Sequence, residues 1–212
     1  MDISNAKLEW RGLSLYRGDN CLQTDLQGTV AAGEAMTLRG PNGCGKTTLL
    51  RTLCGLTLPE TGEIRWQGTE IHKCRGLYYA QLAYSGHNNG LKGDLSTREN
   101  LRFSARLRGH QPAATDLLDA LGLSQCADLP IRNLSAGQRR RASLSLVLGS
   151  GARCWVLDEP YTNLDKAGSD WVGEQLNAHL AGGGLLLLAA HQDSRIESAR
   201  ETTLELAAAG AL

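Results

Sequence analysis

Eight consecutive residues, Gly40-Pro41-Asn42-Gly43-Cys44-Gly45-Lys46-Thr47, carry chemistry that their types and spacing make specific. They fit the phosphate-loop pattern of a glycine, four residues, then Gly-Lys-Ser/Thr. Glycines let successive backbone N–H groups turn inward as a concave nest for an anion. Lys46 supplies a point charge for β- and γ-phosphates, and Thr47, followed by Thr48, offers a hydroxyl to Mg2+. A helix opening at about Lys46 sets its positive dipole end beneath the phosphates. The plain alternative is a glycine turn that happens to precede a helix. The flanks argue for the phosphate loop: Ala35 to Leu38 reads as a short buried strand, and Thr48 to Leu53 as an apolar-faced helix.

Further groups follow in order. Leu134-Ser135-Ala136-Gly137-Gln138 opens a helix, and Ser135 with Gln138 forms a capping box. A helix start that needs a cap is also an anion site. Cys154-Trp155-Val156-Leu157-Asp158 is an apolar strand ending in a carboxylate suited to Mg2+, and Glu159 comes directly after it. Asp165 follows in the next loop, and His191 ends the apolar strand Leu185 to Ala190. Alone, such a histidine is more often a core residue; its place behind Asp158-Glu159 favours a functional one. Arg139-Arg140-Arg141 reads as a solvated helix face rather than a nucleic-acid patch.

The elements that must position these groups are legible in outline. Leu8 to Leu15 and Leu22 to Val30 alternate as two antiparallel strands around the polar turn Arg17 to Asn20, with Tyr16 at the first strand's end. Pro59 to Glu63 is a turn cluster before the strand Ile64 to Trp66, and Leu82 to Tyr84 is a further strand. Ser96-Thr97-Arg98-Glu99 is a capping box, and Pro112 opens a helix through Leu121, so about 94–150 is a helical insertion in an α/β core. Leu164 to Leu180 is a helix, stopped by Gly182 to Gly184, and Thr202 to Leu206 a last strand.

This order of motifs resembles the nucleotide-binding subunit of ABC transporters over nearly the whole chain. The resemblance implies an α/β P-loop NTPase of the ABC-cassette type. It would be a single ATP-binding domain over 1–212, with an antiparallel β subdomain and the helical subdomain inserted between phosphate loop and Walker B strand. Gly40 to Thr48 then corresponds to Walker A and Cys154 to Asp158 to Walker B. Glu159 becomes the general base or polariser of the attacking water, His191 a γ-phosphate contact, and Asp165 a coupling residue. Tyr16 becomes an adenine-stacking candidate, set against a packing role at the strand end. Ser135, Gly137 and Gln138 complete the site of a second copy, which implies a head-to-tail homodimer with two ATP, each with Mg2+, at its interface. His87 stands where most such transporters carry a glutamine that touches Mg2+. Imidazole is a poorer partner for that ion than a carbonyl oxygen, and Asn88 is a neighbour able to substitute.

Within the family, the chain resembles the ATPase subunits of bacterial cytochrome c maturation systems, often called haem exporters. Tyr84-Ser85-Gly86-His87 with Leu91-Lys92 and Glu99-Asn100-Leu101 carries this, together with Leu-Ser-Ala-Gly-Gln before Arg140-Arg141 and the short chain. That resemblance implies membrane subunits like CcmB, with CcmC and CcmD, and ATP-driven haem export or release of the haem-loaded chaperone CcmE. An ATPase for another cargo (lipid, drug or lipoprotein) and a soluble mechanical ABC ATPase stay open as alternatives.

Bulk properties narrow the classes. Among 212 residues, 22 Lys and Arg balance 22 Asp and Glu, which gives no electrostatic reason to expect nucleic acid. Mean hydropathy is -0.26, and Leu185 to Ala190 is far too short to span a bilayer. The start of the chain lacks the pattern of a signal peptide, so the expectation is a peripheral protein on the cytoplasmic face of the bacterial inner membrane, held there by others. Six cysteines without a Cys-x-x-Cys pair read as reduced thiols, mostly core filler.

Overall fold

The computed structural model describes residues 6–86, 90–109, 115–190, 194–196 and 201–208. Its strands form two sheets. The first is antiparallel, in the order β2-β1-β4-β5, from β1 (Lys7–Arg17), β2 (Asn20–Ala31), β4 (Thr61–Trp66) and β5 (Thr69–Glu70). The second is parallel, in the order β6-β7-β8-β3-β9, from β3 (Ala35–Arg39), β6 (Leu82–Ser85), β7 (Cys154–Asp158), β8 (Leu185–Ala189) and β9 (Glu201–Glu205). The helices are α1 (Lys46–Leu53), α2 (Arg75–Gln81), α3 (Thr97–Leu107), α4 (Thr115–Ala120), α5 (Ala136–Leu148) and α6 (Lys166–Ala181). Chain order puts α3, α4 and α5 between β6 and β7, and no helix among the described residues is long and apolar enough to cross a membrane.

The sequence pattern explains both sheets. In β1 the buried residues Leu8 and Trp10 are followed by Leu13 and Leu15, one residue out of a strict period of two. A register shift between Trp10 and Leu13, with Gly12 at φ 62°, absorbs the extra residue and keeps all four on one face. Gly28 lies opposite Trp10, where a Cβ would sit 2.3 Å from the indole, so only glycine fits under that ring. Strands β7 and β8 are buried along their whole length, and apolar up to Asp158 at the end of β7, because the parallel sheet is covered on both faces. Alternate residues serve two cores: Val156, Leu185 and Leu187 pack toward the antiparallel layer and α1, while Trp155, Leu157, Leu186 and Leu188 join side chains of α5 and α6. Each fully buried leucine here contributes about 2 kcal/mol.

Several expectations need adjusting. Thr61, Gly62 and Glu63 belong to β4, not to the turn, because Thr61 and Glu63 pair with Ser14 and Arg11 of β1. Helix α6 begins at Lys166 rather than Leu164, since Asp165 caps it by accepting a hydrogen bond from Gly168 N–H at 2.9 Å. The helix expected from Pro112 is described from Thr115, and Pro112 itself lies outside the described residues. All six cysteines are free thiols, and Cys44, Cys54, Cys126 and Cys154 are buried.

Candidate active site

Ligands of parallel α/β sheets bind at the carboxyl ends of the strands. Here β3 runs into the phosphate loop, β7 ends at Asp158, and β8 lies between them with Ala189 paired to Asp158. The loop turns on three glycines in the left-handed region, Gly40 at φ 142°, Gly43 at 82° and Gly45 at 110°. At Gly40 a Cβ would stand 2.5 Å from the Leu206 carbonyl oxygen. Helix α1 starts from Gly45 without a side-chain cap, so its first N–H groups remain available to an anion. Lys46 is buried at 8% exposure, its Nζ donating to the carbonyls of Gly40 at 2.7 Å and Pro41 at 3.1 Å.

The second half of the site comes from β7. Thr47 Oγ1 donates to Asp158 Oδ2 at 2.8 Å, which joins two residues 111 positions apart. Glu159 carries a backbone φ of 56°, and its N–H donates to the Ala189 carbonyl at 2.8 Å. This left-handed turn ends the strand and costs about 1 kcal/mol for a side-chain-bearing residue. Asn42, Lys46, Thr47, Thr48, Asp158 and Glu159 line a cavity of about 170 Å3. Arg17, at the end of β1, lines it as well.

Ser135, Gly137 and Gln138 sit elsewhere. Ser135 caps α5, its Oγ accepting from Gln138 N–H at 3.2 Å while Gln138 Oε1 accepts from Ser135 N–H at 2.8 Å, the reciprocal box read from the sequence. Ser135 is exposed, and none of the three residues lines the cavity. Tyr16 is 42% exposed, pairs with Cys21 in the hairpin and is not a lining residue either. His87, Asn88 and His191 lie outside the described residues.

The arginine run departs from expectation. Arg140 is buried at 8% exposure, not solvated. Its guanidinium donates to the main-chain carbonyls of Gly86 at 2.6 Å, Glu159 at 2.9 Å and Asp158. Burial lowers its pKa below the ordinary value, while the charges of Asp158 and Glu159 act the other way. The nearby Tyr84 phenol is pushed up to about 12, first by burial and then by the negative charge of Asp158. Arg140 shares a helix face with the buried Leu144 and Val147, and this 3.6-residue spacing is the signal that could have found it. Gln23 was also missed: its Nε2 donates to Cys44 O at 3.0 Å and Ala207 O at 2.8 Å, clamping the phosphate loop to the segment after β9. Nothing local in the sequence marks it.

The arrangement is a phosphate cradle with an oxygen-donor pair and a carboxylate beside it. The sequence pattern described as ABC transporter matches residues 23–162. A relative from Nitrosococcus oceani, described as cytochrome c biogenesis ATP-binding export protein CcmA, is 42% identical across 98% of this chain and 95% of its own length. One from Methylococcus capsulatus with the same description is 44% identical across 89% of this chain and 93% of its own. A solved structure described as the ATP binding subunit of an ABC transporter shares the fold at a TM-score of 0.85 with 24% identity, covering 95% of this chain and 87% of its own. With the cradle, the Asp158 strand and the capped α5 in the expected order, and with relatives matched over most of both chains at this identity, the chain belongs to the ATP-binding proteins of the ABC transporter family.

Proposed function

We propose that this chain is the ATP-hydrolysing subunit of a membrane ABC complex in cytochrome c biogenesis, where hydrolysis drives haem export or release of a haem-loaded chaperone of the CcmE type. The observation that carries the hydrolytic reading is the 2.8 Å contact between Thr47 and Asp158, which sets Glu159 at the rim of the same cavity as Lys46. The biogenesis assignment is supported by relatives of that description, matched over almost their full length.

In this reading the glycine N–H groups of the loop, the uncapped start of α1 and Lys46 bind the β- and γ-phosphates of ATP. The Thr47 hydroxyl and the Asp158 carboxylate are hard oxygen donors already in contact, a set that fits Mg2+ with phosphate and water oxygens completing its shell. That ion, when bound, offsets phosphate charge. Glu159 accepts a hydrogen bond from the attacking water and takes its proton, a role worth about 10^2 to 10^4-fold in rate. His191, just after β8, contacts the γ-phosphate. His87 acts in coupling and at the metal, and Tyr16 stacks on adenine at the hairpin end. Residues 1–212 act as one ATP-binding domain, with about 94–150 as its helical subdomain.

Because Ser135, Gly137 and Gln138 stand outside their own chain's cavity, two copies bind head to tail, each presenting its α5 N-terminus to the ATP of the other. Membrane subunits of the CcmB type, with CcmC and CcmD, hold the pair at the cytoplasmic face of the inner membrane. The test is to purify a tagged Glu159→Gln chain from detergent-solubilised membranes of its native host and identify what accompanies it by mass spectrometry. This variant is expected to bind ATP, stop turning over and bring down CcmB- and CcmC-like proteins with a haem-bearing chaperone. A different permease would keep the ATPase and discard the biogenesis assignment. Recovery without any membrane protein would favour the soluble mechanical class.

A further inference from the structure

Three segments that ATP hydrolysis engages meet at one buried cation. Arg140 lies on α5 five positions after Ser135, about 7.5 Å further along the helix axis. Its guanidinium donates through Nη1 to Gly86 O at 2.6 Å and through Nη2 to Glu159 O at 2.9 Å and to Asp158 O. All three acceptors are main-chain carbonyls, so the guanidinium constrains the course of the backbone rather than neutralising a side chain.

The geometry around Glu159 gives this contact its meaning. The Asp158 and Glu159 carbonyls belong to the two peptide units that flank the Glu159 Cα. Arg140 holds both, while the Glu159 N–H is held from the opposite side by Ala189 O at 2.8 Å. Pinned in this way, Glu159 keeps a φ of 56° that a side-chain-bearing residue rarely adopts, and the direction of its carboxylate is set by that backbone. Hydrogen bonds from a buried cation are strong enough to hold such a conformation. A planar fork holds several donors in fixed directions toward three carbonyls, whereas an ammonium is a point charge on a flexible stem and does not fix theirs. A second link, Ser143 Oγ to Ser85 Oγ at 3.1 Å, ties the same helix to the end of β6 next to Gly86.

We propose that Arg140 is a positioning residue that couples helix α5 to Glu159: when the Ser135 end of α5 seats against a nucleotide in the second copy, the guanidinium carries that placement to the peptide units that aim the Glu159 carboxylate. The proposal rests on the reading of Glu159 as the group that activates water.

The experiment compares Arg140→Lys, Arg140→Met and Arg140→Ala in the purified membrane complex, with wild type and Glu159→Gln alongside. It measures kcat, the ATP dissociation constant with a fluorescent analogue, and the melting midpoint. Arg140→Lys and Arg140→Met are expected to lower kcat at least about 10-fold while ATP affinity changes less than about threefold, since no phosphate contact is removed. In Arg140→Ala, millimolar guanidinium is expected to restore part of kcat and equimolar urea to restore none. The proposal is overturned if kcat stays within about twofold of wild type, or if kcat and ATP affinity fall in the same proportion. It is equally overturned if all three variants fail to fold, which would make the residue purely structural. If Glu159→Gln hydrolyses ATP at the wild-type rate, the role of Glu159 falls and this proposal with it, a result distinct from failure at Arg140 alone.

Discussion

The proposed function gives two helix starts a part in phosphate chemistry, and they are built in opposite ways. Helix α1 opens from Gly45 with no side-chain cap, inside a loop clamped by Gln23 and filled by the buried Lys46. Helix α5 opens from an exposed Ser135 with both halves of a capping box satisfied, outside the cavity. An uncapped N-terminus leaves N–H groups open to water or an anion, and α1 stands over a cradle shaped for an anion. A capped one folds without a ligand. Yet the Ser135 hydroxyl, while accepting from Gln138, still has a proton to donate to a phosphate oxygen. In the reading proposed above, one end is a binding site complete within the chain, and the other is a finished surface that would gain its ligand only by meeting a second copy.

The strongest way to break this comparison is to remove each end in turn and then mix the copies. Lys46→Ala should lower ATP hydrolysis by about 10^3-fold or more, measured by phosphate release, because it removes the positive charge that stabilises the transferring phosphate. Ser135→Ala should cost about 1 kcal/mol of stability as a lost cap, but lower kcat by about 100-fold, far more than the cap explains. Lys46→Ala copies mixed with Ser135→Ala copies should recover hydrolysis from one intact composite site. Mixed dimers of a copy carrying both substitutions with a wild-type copy should hold no intact site, which leaves only the activity of the remaining wild-type pairs. If the double variant is instead the one rescued, the two ends act within one chain and the comparison fails.

A smaller effect sharpens it. The same substitution should be costly in the loop that leads into α1 and harmless at the start of α5. Gly40→Ala sets a Cβ 2.5 Å from Leu206 O at a φ of 142°, and should lower stability by about 1–3 kcal/mol in denaturant titration. Gly137→Ala meets nothing nearer than Asn163 O at 3.7 Å and stands inside a helix, so stability should hold or rise by up to about 1 kcal/mol. Any loss of hydrolysis in Gly137→Ala then reports on the meeting of two copies rather than on folding.

What the sequence discloses follows the same division. The phosphate loop, the Ser96 and Ser135 caps and the apolar strands β7 and β8 obey local rules, and each forms where those rules put it. Gln23 and Arg140 act across 184 and 54 positions of the chain, respectively, and no local pattern states such a distance. Helix α2 carries no sequence signal because Tyr78 is its one buried residue, which leaves no apolar period to detect. Cys44 shows the limit of a motif. Its position inside the cradle suggests a thiol open to alkylation, but the side chain is 1% exposed and packs with the core. The motif specifies the backbone and leaves the direction of that side chain to packing.

The least effect is expected behind both helix starts, in the strand that carries Asp158. Trp155 of β7 stacks on His179 of α6 with ring centroids 3.7 Å apart, and burial depresses the His179 pKa to about 4 from an ordinary 6.5. The depressed value means that the unfolded chain takes up a proton as pH falls through 6.5 while the folded chain stays neutral down to about 4. Stability from this group is therefore complete above 6.5 and is lost progressively on acidification. Between about pH 7.5 and pH 6 the loss should be about 0.8 kcal/mol. His179→Phe preserves the stack and removes the titration, so its stability should be flatter over that interval in chemical denaturation. The ratio of kcat between wild type and Ser135→Ala should not change with it, because His179 supports the strand beneath the site and not the meeting of the two halves.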